Sequence, residues 1–360
     1  VMPAFCDSHT HIVFAKTRES EFEDRIKGLT YEEVAKKGGG ILNSAKKLQE
    51  SSEDELFASA MKRLDEVARM GTGSIEIKSG YGLTVDAELK MLRVIKRLKE
   101  ASPLTIKATF LGAHAFPTEF KENHQGYIDQ IINEMLPVIE KEGLADYIDA
   151  FCERNYFSKE ELDQILEAGA KCGLIPKVHV NQFSIQGGVE VSIKHGARSV
   201  DHLEEIDQND IDILKASKCM PTILPSCSFF LNIPYGDARR IMNENIPVAL
   251  ATDYNPGSTP SGNIPFVMSL ACIKMKMTPN EALNATTMNS AYAMNLENTH
   301  GSITEGDGWR LYCCVGSFDE RSALGLNEPL ELIWGDDTAP QKACSGGRRQ
   351  PSVSPQFIYS

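Results

Sequence analysis

Two histidines, His9 and His11, stand two residues apart near the start of the sequence, within the apolar stretch FCDSHTHIVF. In a β-strand, alternate side chains face the same side, so both imidazoles are expected to point into one space. A metal ion needs this arrangement from its first two ligands. The pair is weak evidence by itself, because isolated histidines are more often hydrogen-bonded structural residues. Further ligands must come from elsewhere in the chain.

Four other residues that can bind metal or carry protons stand at the C-terminal ends of apolar, strand-like segments. They are His114, His179, His202 and Asp253. Three imidazoles and one carboxylate that converge can bind a divalent metal ion and leave a position for water, whose pKa the ion lowers from about 15.7 toward 7. Asp253 could ligate the ion and pass a proton to a leaving nitrogen. His202, off the metal, could stabilise a developing oxyanion.

The scaffold that must position these residues follows from the order of the segments. Eight short apolar segments with strand character alternate with segments of helical periodicity. This alternation predicts a parallel sheet with helices outside it. It favours an α/β fold of the TIM (β/α)8 barrel type, in which active sites lie at the C-terminal ends of the strands. The alternative is an open doubly wound sheet, which is disfavoured because no GxGxxG motif follows the first strand.

Several local elements are predicted within this pattern. An amphipathic helix is expected over residues 85–101. Ser158, followed by Glu161 three residues later, forms a capping-box pattern at the start of another helix. The stretch PSCSFFL is expected to be a loop. The triple glycine at residues 38–40 indicates a loop near a ligand, because glycine tolerates backbone conformations that other residues avoid.

The composition is typical of an ordinary globular protein, with 42% hydrophobic and 24% charged residues in a chain of 360. A net charge of −13 without blocks of like charge argues against nucleic acid as the main partner. No apolar stretch reaches the length of a membrane span, and no secretory leader is visible. The nine cysteines are scattered and form no CxxC pair, as expected for reduced thiols. These features predict a cytoplasmic protein with neither nucleic acid nor membrane as partner.

Two further residues are ambiguous on residue type alone. Arg18 lies in a polar stretch, where a solvated loop charge is the simpler interpretation. Tyr81 stands between two glycines in SGYG, and it fits a surface turn and a ligand contact equally well.

Longer motifs add a resemblance to a known family. The sequence resembles the imidazolonepropionase family of the amidohydrolase superfamily from about Pro3 to about Gly306, in the motifs DSHTHIVF, KGGGI, EIKSGYGL, TFLGAHAFP, FCERNYFS, KVHVNQF, SVDHLEE and ATDYNPGS. The resemblance implies a TIM barrel that hydrolyses the cyclic amide of 4-imidazolone-5-propanoate to N-formimidoyl-L-glutamate in histidine degradation. It also implies one divalent or trivalent metal ion as cofactor, either zinc or iron.

The resemblance assigns roles to particular residues. It implies that the metal ligands are His9, His11, His179 and Asp253, and it leaves Asp253 and His202 as the predicted catalytic residues. It implies substrate contacts at Arg18, Tyr81, His114, Gln182, Asn255, Gly257 and Ser258. Under this interpretation Arg18 holds the substrate carboxylate, because a guanidinium can form a bidentate, charge-assisted pair. The expected partner is therefore a small-molecule substrate with a carboxylate, and the sequence leaves a homodimer open.

Two departures from the family pattern set the expected domain organisation. Members usually carry a small β-sandwich, built from a segment before the barrel and the C-terminal tail. We expect this sandwich to be largely missing here, and a segment normally to precede residue 1. The predicted barrel comprises residues 1–300, and residues 301–360 form a divergent tail whose Gly, Ser, Pro and Arg content is typical of poor order.

Two rival functions stay open at this point. One is another amidohydrolase activity, such as deamination of a cyclic amidine, for which a carboxylate clamp would be unnecessary. The other is a catalytically inactive truncated isoform, because the expected sandwich is incomplete.

Overall fold

Eight parallel strands form the centre of the molecule in the computed structural model, which describes residues 2–29, 39–303, 310–313 and 331–334. Each strand pairs in parallel with the next one along the chain. In order they are β2 (Phe5–Asp7), β3 (Thr72–Lys78), β4 (Thr105–Ala113), β5 (Tyr147–Cys152), β6 (Ile175–Val180), β7 (Ser199–His202), β8 (Met220–Ile223) and β9 (Ala249–Leu250). The predicted (β/α)8 barrel is confirmed.

The first and last strands are joined by residues just beyond their ends. The Asp253 amide donates a hydrogen bond to the His9 carbonyl at 3.0 Å, and the His11 amide donates to the Tyr254 carbonyl at 2.8 Å. Strand β2 itself ends at Asp7, so His9 and His11 follow the strand instead of lying within it as predicted. These hydrogen bonds nevertheless hold the segment in place and complete the barrel at its C-terminal mouth.

Helices connect the strands and cover the barrel. Among the described residues they are Glu19–Ile26, Gly40–Glu50, Glu53–Arg69, Val85–Ala101, His124–Gln130, Leu136–Glu142, Lys159–Lys171, Gly188–Lys194, Gln208–Lys215, Pro225–Leu231, Ala238–Asn243, Ile264–Met275, Pro279–Thr286 and Met288–Ala293, with a π-helical turn over Ile131–Met135 and a 3₁₀ turn over Thr118–Phe120. None of these helices is long and apolar enough to cross a membrane.

The predicted local elements have mixed outcomes. The helix over Val85–Ala101 has the predicted bounds, and Ser158 and Glu161 form the predicted capping box. The prediction of a loop at PSCSFFL was wrong, because Pro225–Leu231 is a helix. Proline is favoured in the first helical turn, and Asn232 ends the helix in the left-handed conformation, with φ of 55°.

The two faces of the barrel strands are both buried but differ in chemistry. In β3, Ile75 and Ile77 belong to the apolar core, while Glu76 and Lys78 alternate with them and are equally buried. The Lys78 ammonium lies 2.9 Å from a carboxylate oxygen of Asp149 on β5, two strands away, so the contact crosses the barrel interior. We call the buried ionic residues found there the interior charged layer: Glu76, Lys78, Asp149, Lys177 and Asp201.

A second, smaller sheet is antiparallel and is formed by strands that precede and follow the barrel strands in the sequence. It consists of β1 (Met2–Pro3), β10 (Arg310–Cys313) and β11 (Glu331–Trp334), in the order β1-β10-β11. Two segments of the predicted tail are therefore strands, one of which pairs with β1. Most of the predicted tail, and Gly38 of the triple glycine, lie outside the described residues. The division into a barrel and a tail stays a prediction.

Candidate metal and substrate site

Three histidines converge at the C-terminal mouth of the barrel. His9, His11 and His179 are all buried, and a nitrogen from each lies within 4.8 Å of the others. The Nε2 atoms of His9 and His11 are 3.3 Å apart. Ligand atoms about 2.0–2.1 Å from one tetrahedral ion lie about 3.3–3.4 Å apart, so this spacing fits two ligands of a single metal.

Asp253 adds a carboxylate to the same point. Its Oδ1 lies 3.6 Å from His9 Nε2 and 3.5 Å from His11 Nε2. Burial lowers the pKa of His9, His11 and His179 well below the ordinary histidine value, which favours neutral rings. Neutral imidazoles and a carboxylate are a donor set for a divalent ion, so the described residues fit the metal that the sequence predicted.

Two buried aspartates fix the orientation of two of these candidate ligands, His9 and His179. His9 Nδ1 donates to Asp201 at 2.7 Å, and His179 Nδ1 donates to Asp149 at 2.7 Å. With the proton on Nδ1, each neutral ring has its lone pair on Nε2, the nitrogen available to a metal ion. The motifs and spacings of the sequence predicted no role for Asp149 or Asp201. The alternation of polar and apolar residues in YIDAF and SVDH could have indicated that each aspartate faces the barrel interior.

His202 lies beside this cluster and is paired with Glu204. Its ring centroid is 5.2 Å from that of His179, and its Nδ1 is 3.3 Å from Glu204 Oε2. Burial disfavours the charged ring, but the surrounding carboxylates, Glu204 most of all and then Asp253 and Asp201, together outweigh burial and raise the pKa of His202. His202 also has a φ of 91°, which is rare for a residue with a side chain and is typical of functional sites. The pairing of Glu204 with His202 was not predicted from the sequence.

Tyr81 and His114 form the next part of the cavity wall. His114 stacks on His11 with ring centroids 5.4 Å apart, and its Nδ1 donates to the Gly80 carbonyl at 3.0 Å. Burial lowers the pKa of His114 to about 4, so the ring is neutral at pH 7. Gly80 has a φ of 109°, and a Cβ there would come within 2.8 Å of His114 Nδ1, so only glycine fits. Tyr81 is buried, which excludes the surface-turn interpretation.

Arg18 is not a solvated charge. Its side chain is only 7% exposed, its Nε donates to Ser44 Oγ at 2.8 Å, and its guanidinium carbon lies 5.9 Å from the centre of the Tyr81 ring. A Cβ at Gly257 would collide with Arg18 Nη1, so the glycine leaves space for the guanidinium. The structure therefore places a preoriented cation in the wall of the cavity.

The loop after β9 is shaped by its own side chains. Asp253 has a φ of 55°, and the Asn255 side chain accepts from the amides of Gly257 and Ser258 at 2.8 and 2.7 Å. Ser258 Oγ also lies 3.3 Å from Asp253 Oδ2. Asn255 therefore holds the loop that carries the candidate ligand Asp253, in addition to lining the cavity.

One cavity unites the residues predicted from the sequence. Its wall includes His11, Arg18, Tyr81, His114, His179, Gln182, His202, Asp253, Asn255, Gly257 and Ser258. His9 lies below this wall, in contact with His11 and His179. The structure thus brings all predicted site residues together, and it adds Phe151, Tyr156 and Phe183 as aromatic lining that sequence analysis did not predict.

Solved structures with the same fold include deaminases and a triazine hydrolase. The chain is similar to 5-methylcytosine deaminase from Klebsiella pneumoniae, liganded with 5-fluorocytosine, with a TM-score of 0.73 and 15% identity over 92% of this chain and 84% of the other. It is also similar to a variant of atrazine chlorohydrolase from Arthrobacter aurescens complexed with zinc and atraton, with a TM-score of 0.67 and 14% identity over 91% and 79% of the two chains. At this identity the similarity establishes the fold alone.

Closer relatives identify the family. The amidohydrolase family model matches residues 1–314. Imidazolonepropionase from Flavobacterium johnsoniae is 63% identical over 85% of this chain and 74% of its own length. The imidazolonepropionase of Thermoanaerobacter pseudethanolicus is 43% identical over the same shares. Matches of this extent and identity show that the chain belongs to the imidazolonepropionases, within the amidohydrolase family.

Proposed function

We propose that this chain hydrolyses the cyclic amide of 4-imidazolone-5-propanoate to N-formimidoyl-L-glutamate. The observation that carries the proposal is a cluster of histidines and a carboxylate that could bind a metal, in the same cavity wall as an arginine whose side chain is largely buried and preoriented. Relatives named imidazolonepropionase, one of them 63% identical to this chain, support it. The substrate has both groups that this cavity is suited to hold, a ring carbonyl and a carboxylate.

The proposed cofactor is one divalent or trivalent metal ion, zinc or iron, held by His9, His11, His179 and Asp253. Imidazole nitrogens and carboxylate oxygens suit both metals. When bound, the ion supplies Lewis acidity, which polarises the carbonyl and makes water more acidic. The structure of an atrazine chlorohydrolase variant with the same fold contains zinc, so zinc is the first metal to test.

Two side chains have separate roles in the reaction: Asp253 transfers a proton, and His202 stabilises the developing negative charge. One water is consumed: its oxygen bonds to the ring carbonyl carbon, the amide C–N bond breaks, and the released nitrogen gains a proton. Asp253 accepts the proton from the water and delivers it to the leaving nitrogen. His202, whose charged form Glu204 favours, donates to the carbonyl oxygen on which negative charge develops.

The remaining residues of the wall orient the substrate. Arg18 pairs with the propionate. Because its Nε already donates to Ser44 Oγ, the Arg18 side chain loses less conformational entropy when the substrate binds. The proposed contacts to the imidazolone ring and its side chain come from Tyr81, His114, Gln182, Asn255, Gly257 and Ser258.

An assay of the full 360-residue chain on 4-imidazolone-5-propanoate, with the bound metal measured in the same sample, tests the proposal. Arg18→Ala should lower kcat/KM by about 10–150-fold, as expected for the loss of 1.5–3 kcal/mol of charge-assisted bonding. Lys16→Ala removes an exposed cation from the same segment and is the matched control, with little effect expected. Deamination of a neutral cyclic amidine, unaffected by Arg18→Ala, would contradict the proposal and favour the deaminase alternative.

A further inference from the structure

Lys78 is a charged residue of the motif EIKSGYGL to which the proposed reaction assigns no role. Its side chain is fully buried inside the barrel. A buried ammonium is costly unless it is paired and hydrogen-bonded. Lys78 Nζ meets this requirement through Glu76 Oε1 at 2.7 Å and Asp149 Oδ2 at 2.9 Å, and it lies 3.6 Å from Asp201 Oδ2.

The partners of Lys78 are the aspartates that orient the candidate metal ligands. Asp149 Oδ2 accepts from His179 Nδ1, and Asp201 Oδ2 accepts from His9 Nδ1. The same two oxygens face the Lys78 ammonium. One cation therefore connects, through one carboxylate each, two histidines from different parts of the barrel: His179 on β6 and His9 in the segment after β2.

We propose that Lys78 is a positioning residue for the metal site, which holds Asp149 and Asp201 so that His179 and His9 present Nε2 to the ion. This inference rests on the proposed metal site. Without Lys78, the two carboxylates lose the shared donor that fixes their distance from one another. The histidine rings then lose a fixed orientation at the same time, because each is held through its Nδ1.

Lys177 provides a matched control within the interior charged layer. It is also fully buried and carries the same charge. Its Nζ donates to Ser199 Oγ at 2.7 Å, and it lies 3.3 Å from Glu76 and 3.9 Å from Asp201. Lys177→Met therefore removes the same charge from the same layer as Lys78→Met, but it leaves the contact between Lys78 and both aspartates intact.

The test measures Zn²⁺ affinity of the full chain by competition with a chelator. Lys78→Met should weaken Zn²⁺ binding by about 10–100-fold, the range for losing a partner that orients a ligand, and Lys177→Met by less than about 10-fold. The visible spectrum of the Co²⁺-loaded chain reports ligand geometry, and it should change in Lys78→Met but not in Lys177→Met. Equal Zn²⁺ affinities of the two variants would overturn the inference.

A second variant separates positioning from charge balance and from failure to fold. Lys78→Met together with Glu76→Gln leaves the layer with its original net charge, because one cation and one anion are removed together. We expect the double variant to regain thermal stability but not Zn²⁺ affinity. Affinity restored to that of the unaltered chain would overturn the positioning role. If the unaltered chain itself binds no Zn²⁺, the proposed metal site fails and this inference fails with it.

Discussion

Ile77 and Lys78 are neighbours in β3 and are equally inaccessible to solvent, yet their side chains lie on opposite faces of the barrel wall. Ile77 belongs to the apolar core together with Leu64 and Leu92 of the surrounding helices. Lys78 faces the interior and binds carboxylates on β3 and β5. The outer face gains stability directly from burial of apolar area, whereas the inner face must satisfy every charge that it buries.

The interior of this barrel differs in composition from that of most TIM barrels. Barrel interiors are usually filled with branched apolar side chains. Here β3, β5, β6 and β7 instead direct carboxylates, lysines and a histidine inward, in the positions that alternate with Ile, Val and Ala. Buried ion pairs are often no more stabilising than apolar residues of the same volume. The inner face is therefore best explained by the histidines it supports, and substitutions on the two faces should have different consequences.

The largest effect is expected at a candidate ligand on the inner face. His179→Ala removes one of the three histidine nitrogens that converge at the candidate metal site, so metal and turnover should be lost together. The loss of turnover should exceed the roughly 10²–10³-fold that follows from losing a single oxyanion donor. Metal content and activity of the same preparation check this result. Retention of one equivalent of metal would contradict the ligand assignment.

His202→Ala should separate catalysis from metal binding. His202 contacts the cluster but is proposed to act on the substrate oxygen, so metal content should be unchanged. Turnover should fall by about 10²–10³-fold. Steady-state kinetics on a preparation with known metal content distinguish the two effects. Turnover near that of the unaltered chain would remove His202 from the mechanism.

Asp149→Asn tests the hydrogen bond that orients the candidate ligand His179 and should have an intermediate effect. The substitution keeps the shape of the side chain but weakens its hold on His179 Nδ1, so metal affinity or activity should fall by about 10–100-fold. Asp163→Asn is the matched control, because Asp163 binds His195 at the same 2.7 Å on the outer surface. If both variants bind metal equally well, the inner aspartate has no special role.

Ile77→Ala should leave the chemistry almost unchanged and affect stability instead. Removal of a buried isoleucine from the outer face leaves a cavity, and it should lower the free energy of unfolding by about 2–5 kcal/mol. The activity of the folded protein should stay close to that of the unaltered chain. Denaturant unfolding checks the loss of stability, and steady-state kinetics below the unfolding transition check that activity is unchanged. A loss of metal affinity similar to that of Asp149→Asn would break the distinction between the faces.

The sequence by itself predicted the barrel and the residues gathered at its mouth. Strand-like segments alternating with helical ones indicated the fold, because such alternation has few compact solutions. His179, His202 and Asp253 could be placed at one end of the barrel, because parallel strands all end on the same side. Longer motifs moved Arg18 and Tyr81 from ambiguous residues to substrate contacts, and the structure places both in the cavity wall.

Only the tertiary structure decided which buried groups meet. Asp201 is 192 positions from His9, and Asp149 is 30 positions from His179, so no local spacing could pair them. The inner face of each strand was visible as alternation, but the partner across the interior depends on how the barrel closes. The roles of Asp149, Asp201 and Lys78 therefore follow from three-dimensional contact, while the candidate ligands themselves could be predicted from residue type and position along the chain.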